Sequence, residues 1–545
     1  MHIKIDPITR IEGHLGIEVK IENRKIVDAW SSGTLFRGIE NILKGRDPRD
    51  APVFTQRSCG VCTYSHLLAS LRAVEDAIGV KIPDNARIIR NLLHGAQLVA
   101  DHIVHFYHLH ALDWVDIVDA LNANSKKTAI LADNISGSKK GGAKYYEGVK
   151  QRLKTFVESG QLGPFNNAYW GHPAYKLPSE VNLMASAHYI EALRIQANAA
   201  KMLAIFGSKA PHPDAPVVGG ITCVRDLTPG RIAEFRFMWK ETQDFVKDVY
   251  IPDLLAVASY YKDWGEIGQT SNFLTWGEFP QSAREPQSLF MPRGFISNKD
   301  LKNIKIPDSD KVTEHVKHSW YKGSQAKHPF DGVTEPQHGM HDINGKYSWM
   351  KSPRYDGEPF EVGPLARVLV AYAKGHKEIK KVVDMTLERL NVPVTALLST
   401  LGRTAARGIE TLVIGNAMES WINDLVENIR KGDKKLYQPW TMPEGTVRGK
   451  GLNDVARGAL GHWIEIKDGK IENYQYVVPS TWNLGPRCSN DKPGPVETAL
   501  IGTPVANVNQ PVEILRTVHS FDPCIACAVH VIDIDSNQSY TVRAT

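Results

Sequence analysis

Two short stretches near opposite ends of the chain carry the residues with the greatest chemical reach. The first reads Gln56-Arg57-Ser58-Cys59-Gly60-Val61-Cys62-Thr63-Tyr64-Ser65-His66, and the second Phe521-Asp522-Pro523-Cys524-Ile525-Ala526-Cys527-Ala528-Val529-His530. Each is a C-x-x-C followed by a histidine. Two intervening residues let both thiolates of a pair converge on one ion, and Gly60 or Pro523 can shape the tight turn this requires. Four such thiolates could form a closed structural zinc site. Soft sulfur ligands equally suit nickel and iron. Arg57, next to the first pair, would lower the thiol pKa values and balance an anionic cluster. His66, four residues after Cys62 at the start of a helical pattern, could donate a hydrogen bond to a metal-bound sulfur. Both features favour a reactive centre over an inert one. Cys223 and Cys488 stand alone and are expected to be buried small hydrophobes.

The pairs can share a site only if the fold brings the two ends of the chain together. Alternating apolar and polar residues from His14 to Ser31 around Asn23-Arg24 predict an N-terminal β-hairpin, and His462 to Val478 around Asp468-Gly469 a second. Between them, apolar spacings of three and four predict helices at about 63–79, 84–121, 180–207, 229–260, 363–374, 377–390 and 403–431. The stretch 262–360, rich in Gly, Pro, Trp, Lys and His, reads as long ordered loops with short strands. No internal repeat or linker is evident. The 545 residues suffice for a sizeable core. The balance of 65 Lys+Arg against 60 Asp+Glu is too dilute to indicate nucleic acid as a partner. The start, Met1-His2-Ile3-Lys4-Ile5-Asp6-Pro7, lacks the pattern of a secretory signal. No window approaches the roughly 20 apolar residues of a membrane helix, so the chain is not expected to be an integral membrane protein.

Arg57 through Cys62 and Asp522 through His530 are similar to the paired signatures of nickel-iron hydrogenase large subunits. So are Arg10-Ile11-Glu12-Gly13-His14, Phe36-Arg37-Gly38-Ile39-Glu40, Asp101-His102-Ile103-Val104-His105-Phe106-Tyr107, Arg457-Gly458-Ala459-Leu460-Gly461-His462-Trp463 and Pro479-Ser480-Thr481-Trp482. The motifs run in family order from end to end, and most resemble the group that contains periplasmic enzymes of sulfate-reducing bacteria. The resemblance implies an α+β, mainly α-helical fold: a core of long bundled helices with small N- and C-terminal β-hairpin or sheet elements. Residues 1–530 would form one catalytic unit, and 531–545 a maturation peptide still present in this precursor.

The resemblance also implies roles. Cys59 and Cys524 would be terminal nickel ligands, and Cys62 and Cys527 would bridge nickel to an iron carrying carbon monoxide and cyanide. Arg457 and Ser480 match positions that contact or approach the cyanides, and Asp101 and Asp522 match the acids that orient Arg457. Cys524 would take the first proton from H2 and Glu12 would pass it on. Glu40, His530 and the Tyr476 carbonyl match ligands of a magnesium or similar ion. One departure is Val455-Ala456-Arg457-Gly458, where the family usually reads Ala-Pro-Arg-Gly; losing proline loosens the backbone before Arg457. Electrons must leave through closely spaced carriers, and two lone cysteines cannot hold an iron-sulfur cluster. A small subunit with iron-sulfur clusters is therefore implied, passing electrons to an acceptor such as a c-type cytochrome. That partner usually carries the twin-arginine signal, which implies a periplasmic location for the pair, with membrane association only through partners. A nickel-sensing endopeptidase would cut after His530. Two other readings are a zinc-organised assembly subunit and a quinone-binding derivative in a respiratory complex; the latter typically loses the cysteines and tail present here.

Overall fold

In the computed structural model, which describes residues 1–160, 168–285 and 287–528, both expected hairpins are present and each gains a third strand. The N-terminal sheet is antiparallel, with His2–Ile5, Leu15–Glu22 and Lys25–Gly33 in that order. Its two-residue turn, Asn23-Arg24, has φ of 49° and 59°, the doubly left-handed geometry that matches strand twist. The C-terminal sheet joins Thr446–Val455, Gly458–Lys467 and Lys470–Val477. Asp468 and Gly469 turn its second hairpin, with φ of 49° and 74°. Its first hairpin turns through only Ala456 and Arg457, since Val455 pairs with Gly458. The expected arginine therefore stands at the tip of a two-residue loop.

The helix Ser65–Ile78, which starts three residues after Cys62, lies directly on the strand Thr446–Val455. Gly449 and Gly451 allow this approach. A Cβ on Gly451 would collide with the Ala69 carbonyl oxygen, and one on Gly449 with that of Ala73. Backbone rests on backbone, which fixes the first cysteine pair relative to the Arg457 loop. Gly451→Ala should therefore cost about 1–3 kcal/mol or more, because the clash is with backbone that cannot rotate away. The expected result is a lower thermal midpoint with less nickel per chain, and wild-type values of both would disprove this close packing.

Long helices form the rest of the core. Asp84–Val104 packs against Thr400–Arg430 and Ser179–Gly207, and Pro229–Phe245 packs on Ser179–Gly207. Pro364–Ala373 and Lys377–Leu390 also stand close to their expected bounds. Two expected helices are interrupted by wide turns. The predicted 84–121 element is α-helical to Val104, then widens over His105–His110 and ends in a short turn, Ala111–Asp113. The predicted 229–260 element widens over Val246–Tyr250 before Ile251–Tyr260. Pro252 supplies the reason, since its ring displaces the carbonyl four residues back. That carbonyl, Asp248 O, accepts instead from Gly137 N at 2.7 Å and Ser136 Oγ at 3.1 Å.

Among the described residues, three helices of nine residues or more lie outside the expected ranges: Ser125–Ile135, Ala143–Ser159 and Val512–Ser520. The last leads into the second cysteine pair. The 262–360 stretch is, as expected, loops with short strands, among them Phe273–Thr275 and Val312–His315. Cys223 and Cys488 are buried, and burial pushes the Cys223 thiol up to about 12. The architecture is α+β and mainly helical. Among the described residues no helix is long and apolar enough to cross a membrane.

Candidate metal centre

The four paired cysteines meet. Cys59 Sγ lies 3.3 Å from Cys524 Sγ, Cys62 Sγ lies 3.2 Å from Cys527 Sγ, and Cys524 Sγ lies 3.1 Å from Cys527 Sγ. All four are buried. The first turn is shaped by the amides of Val61 and Cys62, both 3.3 Å from Cys59 Sγ. In the second, Asp522 takes a left-handed φ of 53° and Pro523 leads into Cys524. As a metal-free cluster the sulfurs share protons unequally. Cys59 is held well below the usual thiol range by hydrogen bonds from Cys524 and the other sulfurs, while neighbouring sulfurs push Cys524 well above it. Four thiolates this close require cations between them, and a bound divalent metal deprotonates coordinating thiols. The donor set therefore fits soft metals, and the separation from one chain end to the other is closed.

The N-terminal segment runs beside the second pair. Glu12 N donates to Pro523 O at 3.3 Å and Glu12 O accepts from Ile525 N at 2.8 Å. Glu12 Oε2 accepts from Ala526 N at 2.9 Å and from Cys524 Sγ at 3.3 Å. Burial, aided by the charge on Cys59, raises the Glu12 carboxyl pKa above its ordinary value. Gly13, with φ of 86°, completes the approach, because a Cβ there would lie 2.8 Å from Ala526 N. A buried cluster of His110, Asp113 and His519 also has metal-ligand composition, but Asp113 and His519 are already engaged. Asp113 pairs with Arg10 at 2.5 Å and His519 at 2.6 Å, and the other nitrogen of His519 donates to Thr9 O at 2.8 Å. These bonds tie the segment bearing Glu12 to the helix leading to Cys524.

The cation at the sulfurs is Arg457, not Arg57. Arg57 is exposed, whereas the buried Arg457 guanidinium is among the charges that lower Cys59. The 3-10 turn Gln56–Ser58 faces the Arg57 side chain outward while Cys59 turns inward. Arg457 forms ion pairs with Asp101 at 3.3 Å and Asp522 at 3.1 Å. Burial opposes its charge, but Asp522, Cys524 and Asp101 hold it firmly protonated. Burial pushes Asp101 up to about 7 against the pull of Arg457. Gln97 donates to both Asp101 Oδ1, at 2.6 Å, and Val61 O, at 3.2 Å, and so links the acid to the first cysteine loop. Arg37 links the two loops to each other by donating to Ser58 O and, at 2.8 Å, to Ala526 O. The sequence alone marks neither Gln97 nor Arg37 for these roles, although Arg37 lies within the motif Phe36 to Glu40.

A small cavity adjoins the sulfurs, lined by Cys62, Cys524, Cys527, Ser65, His66, Arg457 and Ser480 with apolar Val455, Leu460 and Pro479. Ser480 Oγ accepts from Cys524 N at 3.0 Å, leaving its hydroxyl proton for another acceptor. Among the described residues His66 bonds through Nδ1 to His462 Nε2 at 3.1 Å rather than to sulfur. Burial pushes its pKa down to about 4, so it is neutral. A mostly apolar chamber with a few donors beside four sulfurs fits a metal carrying small uncharged or anionic ligands.

Glu40 is buried some way along the same chain of motifs. It accepts from Thr334 Oγ1 and from Tyr476 N at 3.1 Å, and Lys351 Nζ stands 3.5 Å away. Lys351 also reaches Glu314 at 3.0 Å and Gln475 Oε1 at 2.9 Å. Glu40 and Tyr476 thus meet among oxygen donors, although they touch through the Tyr476 amide rather than its carbonyl. The remaining expected ligand, His530, and the tail 531–545 lie outside the described residues.

The nickel-dependent hydrogenase family profile matches residues 37–530, and a HoxL-like profile matches residues 2–29. The chain belongs to the nickel-dependent hydrogenase family. It is 47% identical to the uptake hydrogenase large subunit of Rhizobium leguminosarum bv. viciae, over 99% of this chain and 97% of that one. It is 44% identical to the hydrogenase-1 large chain of Escherichia coli K12, over 99% and 96%. The Ni-Fe-Se hydrogenase structure from D. vulgaris Hildenborough in the reduced state superposes with a TM-score of 0.80 at 35% identity, over 97% of this chain and 100% of that one. The chain is thus the large subunit of a nickel-iron hydrogenase, an oxidoreductase acting on H2. Residues 59, 62, 524 and 527 are all cysteine.

Proposed function

We propose that this subunit cleaves H2 heterolytically and reversibly at a nickel-iron centre held by Cys59, Cys62, Cys524 and Cys527, the iron carrying carbon monoxide and cyanide. The observation that carries the reading is the convergence of four buried sulfurs from opposite chain ends, with Glu12 Oε2 3.3 Å from Cys524 Sγ. The metals when bound supply a hydride acceptor for a molecule that offers the protein no charge or dipole to grip. The chain supplies the base and the path. Cys524 Sγ takes the proton and Glu12, already in contact with it, receives it. The raised pKa of Glu12 brings it nearer that of the donor, which suits a group that must both accept and release a proton. Arg457, fixed by Asp101 and Asp522, keeps positive charge over the cavity, and its guanidinium and the Ser480 hydroxyl would orient the iron's cyanides. His66 packs beside the sulfurs as a neutral wall.

Electrons would pass to a small subunit bearing iron-sulfur clusters and on to an acceptor such as a c-type cytochrome. The named relatives are large subunits or large chains, which supports a heterodimer. The pair would be exported to the periplasm on the small subunit's signal. The family match stops at His530 with 15 residues remaining, in keeping with a catalytic unit of 1–530 and a peptide, 531–545, removed by an endopeptidase. Glu40, the Tyr476 carbonyl and His530 would hold a magnesium or similar ion that pins the new terminus, hard oxygen ligands being suited to it. Elemental analysis of the mature heterodimer should find nickel and iron in equal amounts, with infrared bands of carbon monoxide and cyanide. Zinc alone, with no such bands, would overturn the assignment.

A further inference from the structure

The helix Ser65–Ile78 opens with a hydroxyl that the protein does not use. Ser65 is 1% exposed, and its Oγ has no hydrogen-bond partner among the described residues. Leaving such a group unpaired in the interior is destabilising. The residue lines the sulfur-bounded cavity together with Cys62, Arg457, Ser480, Cys524 and Cys527. Serine at a helix start often turns back to a nearby carbonyl. In this helix the carbonyl three residues back, Cys62 O, already accepts from Ser65 N at 3.2 Å, and the hydroxyl makes no such bond. None of the four sulfurs is a hydrogen-bond partner of it either. The apolar lining residues Val455, Leu460 and Pro479 offer no side-chain acceptor. An acceptor that occupies the cavity and does not belong to the protein would satisfy the hydroxyl.

Resting on the nickel-iron reading above, we propose that the Ser65 hydroxyl donates a hydrogen bond to a diatomic ligand of the iron, as a cavity donor additional to Arg457 and Ser480. The ligand class is a small metal-bound anion or dipole with an exposed lone pair, of which cyanide nitrogen is the stronger acceptor. Ser65 and Ser480 reach the cavity from separate elements, Ser65–Ile78 and Pro479–Leu484. Removing the first should therefore perturb the ligand shell without disturbing the Cys524 amide that the second holds. The 14-residue helix begins at Ser65, and a helix dipole favours negative charge near its start.

The test uses purified heterodimer carrying Ser65→Ala or Ser65→Thr, with nickel per chain and infrared spectra compared with wild type. Ser65→Ala is expected to displace one cyanide band and leave the other in place, whereas Ser65→Thr, which keeps the hydroxyl, retains the wild-type positions. Nickel lost in the alanine variant but kept in the threonine variant also supports the proposal, since the donor is then needed to seat the ligand set. Superimposable spectra for alanine and wild type overturn it, as does equal loss of nickel in both variants. Wild-type enzyme lacking diatomic bands altogether would instead bring down the nickel-iron reading, and this inference with it.

Discussion

Glu12→Gln is expected to abolish H2 oxidation while conversion between para- and ortho-hydrogen at the metals continues. The substitution keeps nearly the same shape and retains an oxygen able to accept from the Ala526 amide, now 2.9 Å from Glu12 Oε2. It removes only the capacity to gain and lose a proton. Glu12 is the carboxylate in contact with Cys524, so a proton taken by that sulfur has no carboxylate to move to in the variant. The raised pKa of the native carboxyl follows from burial and the nearby Cys59 charge, partly offset by the Ala526 amide, Cys524 and Arg457. A group so poised contributes about 10²–10⁴-fold to proton transfer. The loss should be at least that large when transfer through Glu12 is the sole exit. Spin conversion needs H2 to be split and re-formed at the centre, with no proton exported. Retention of spin conversion with loss of oxidation separates a broken exit from a damaged metal site. Oxidation at the wild-type rate would refute the role.

The chemistry of the site was legible where it depends on local order, and less so where it depends on what faces what. Cysteine spacing and the order of motifs led to all four sulfurs, Glu12, Arg457, Asp101 and Asp522, which the fold gathers. The choice of Arg57 as the cation at the thiolates failed because adjacency in sequence does not give direction: the turn at Gln56–Ser58 sends that side chain outward. Arg37 and Gln97 act through backbone carbonyls of distant loops, Ser58, Ala526 and Val61, and no residue pattern near them announces such partners. The strand Thr446–Val455 was hidden by the feature that makes it work. Gly449 and Gly451 weaken a strand signature, and they are there because a helix backbone lies against them. Helix Val512–Ser520, nine residues long, is too short to show a sustained period. The wide turns at His105–His110 and Val246–Tyr250 keep helical hydrophobic spacing on both sides, so periodicity alone reads straight through them.

The missing proline before Arg457 leads to the second large effect. Arg457 sits on a two-residue loop whose first residue, Ala456, has lost the ring that would fix its φ. Arg367 takes over that restraint from outside. Its Nη1 donates to Val455 O at 2.7 Å and its Nη2 to Ala456 O at 3.1 Å. The other N–H groups bind Asp454 at 3.0 Å and both oxygens of Glu410, so all five donors of the guanidinium are used. Glu410 is in turn bonded to His102 at 2.9 Å, and although burial works the other way, Arg367 and His102 hold its carboxyl down to about 2. The clamp is thus anchored as a fixed charge pair in the helix core. Lysine at 367 keeps the charge but not the planar fork, and cannot grip both carbonyls and both acids. Arg367→Lys is expected to lower turnover about 10²-fold through displacement of Arg457, the scale that a misplacement near 1 Å carries. Adding Ala456→Pro should recover much of that loss, since Ala456 already has a negative φ and the ring would impose from within what the two hydrogen bonds imposed from without. Stability should respond differently. Proline restores only about 0.4–1 kcal/mol by entropy and leaves Glu410 and Asp454 poorly paired, so the fall in thermal midpoint would persist in the double variant. Activity that recovers while the midpoint stays low identifies Arg367 as a positioning residue for Arg457. A double variant no more active than Arg367→Lys would mean that the loop is held by other contacts.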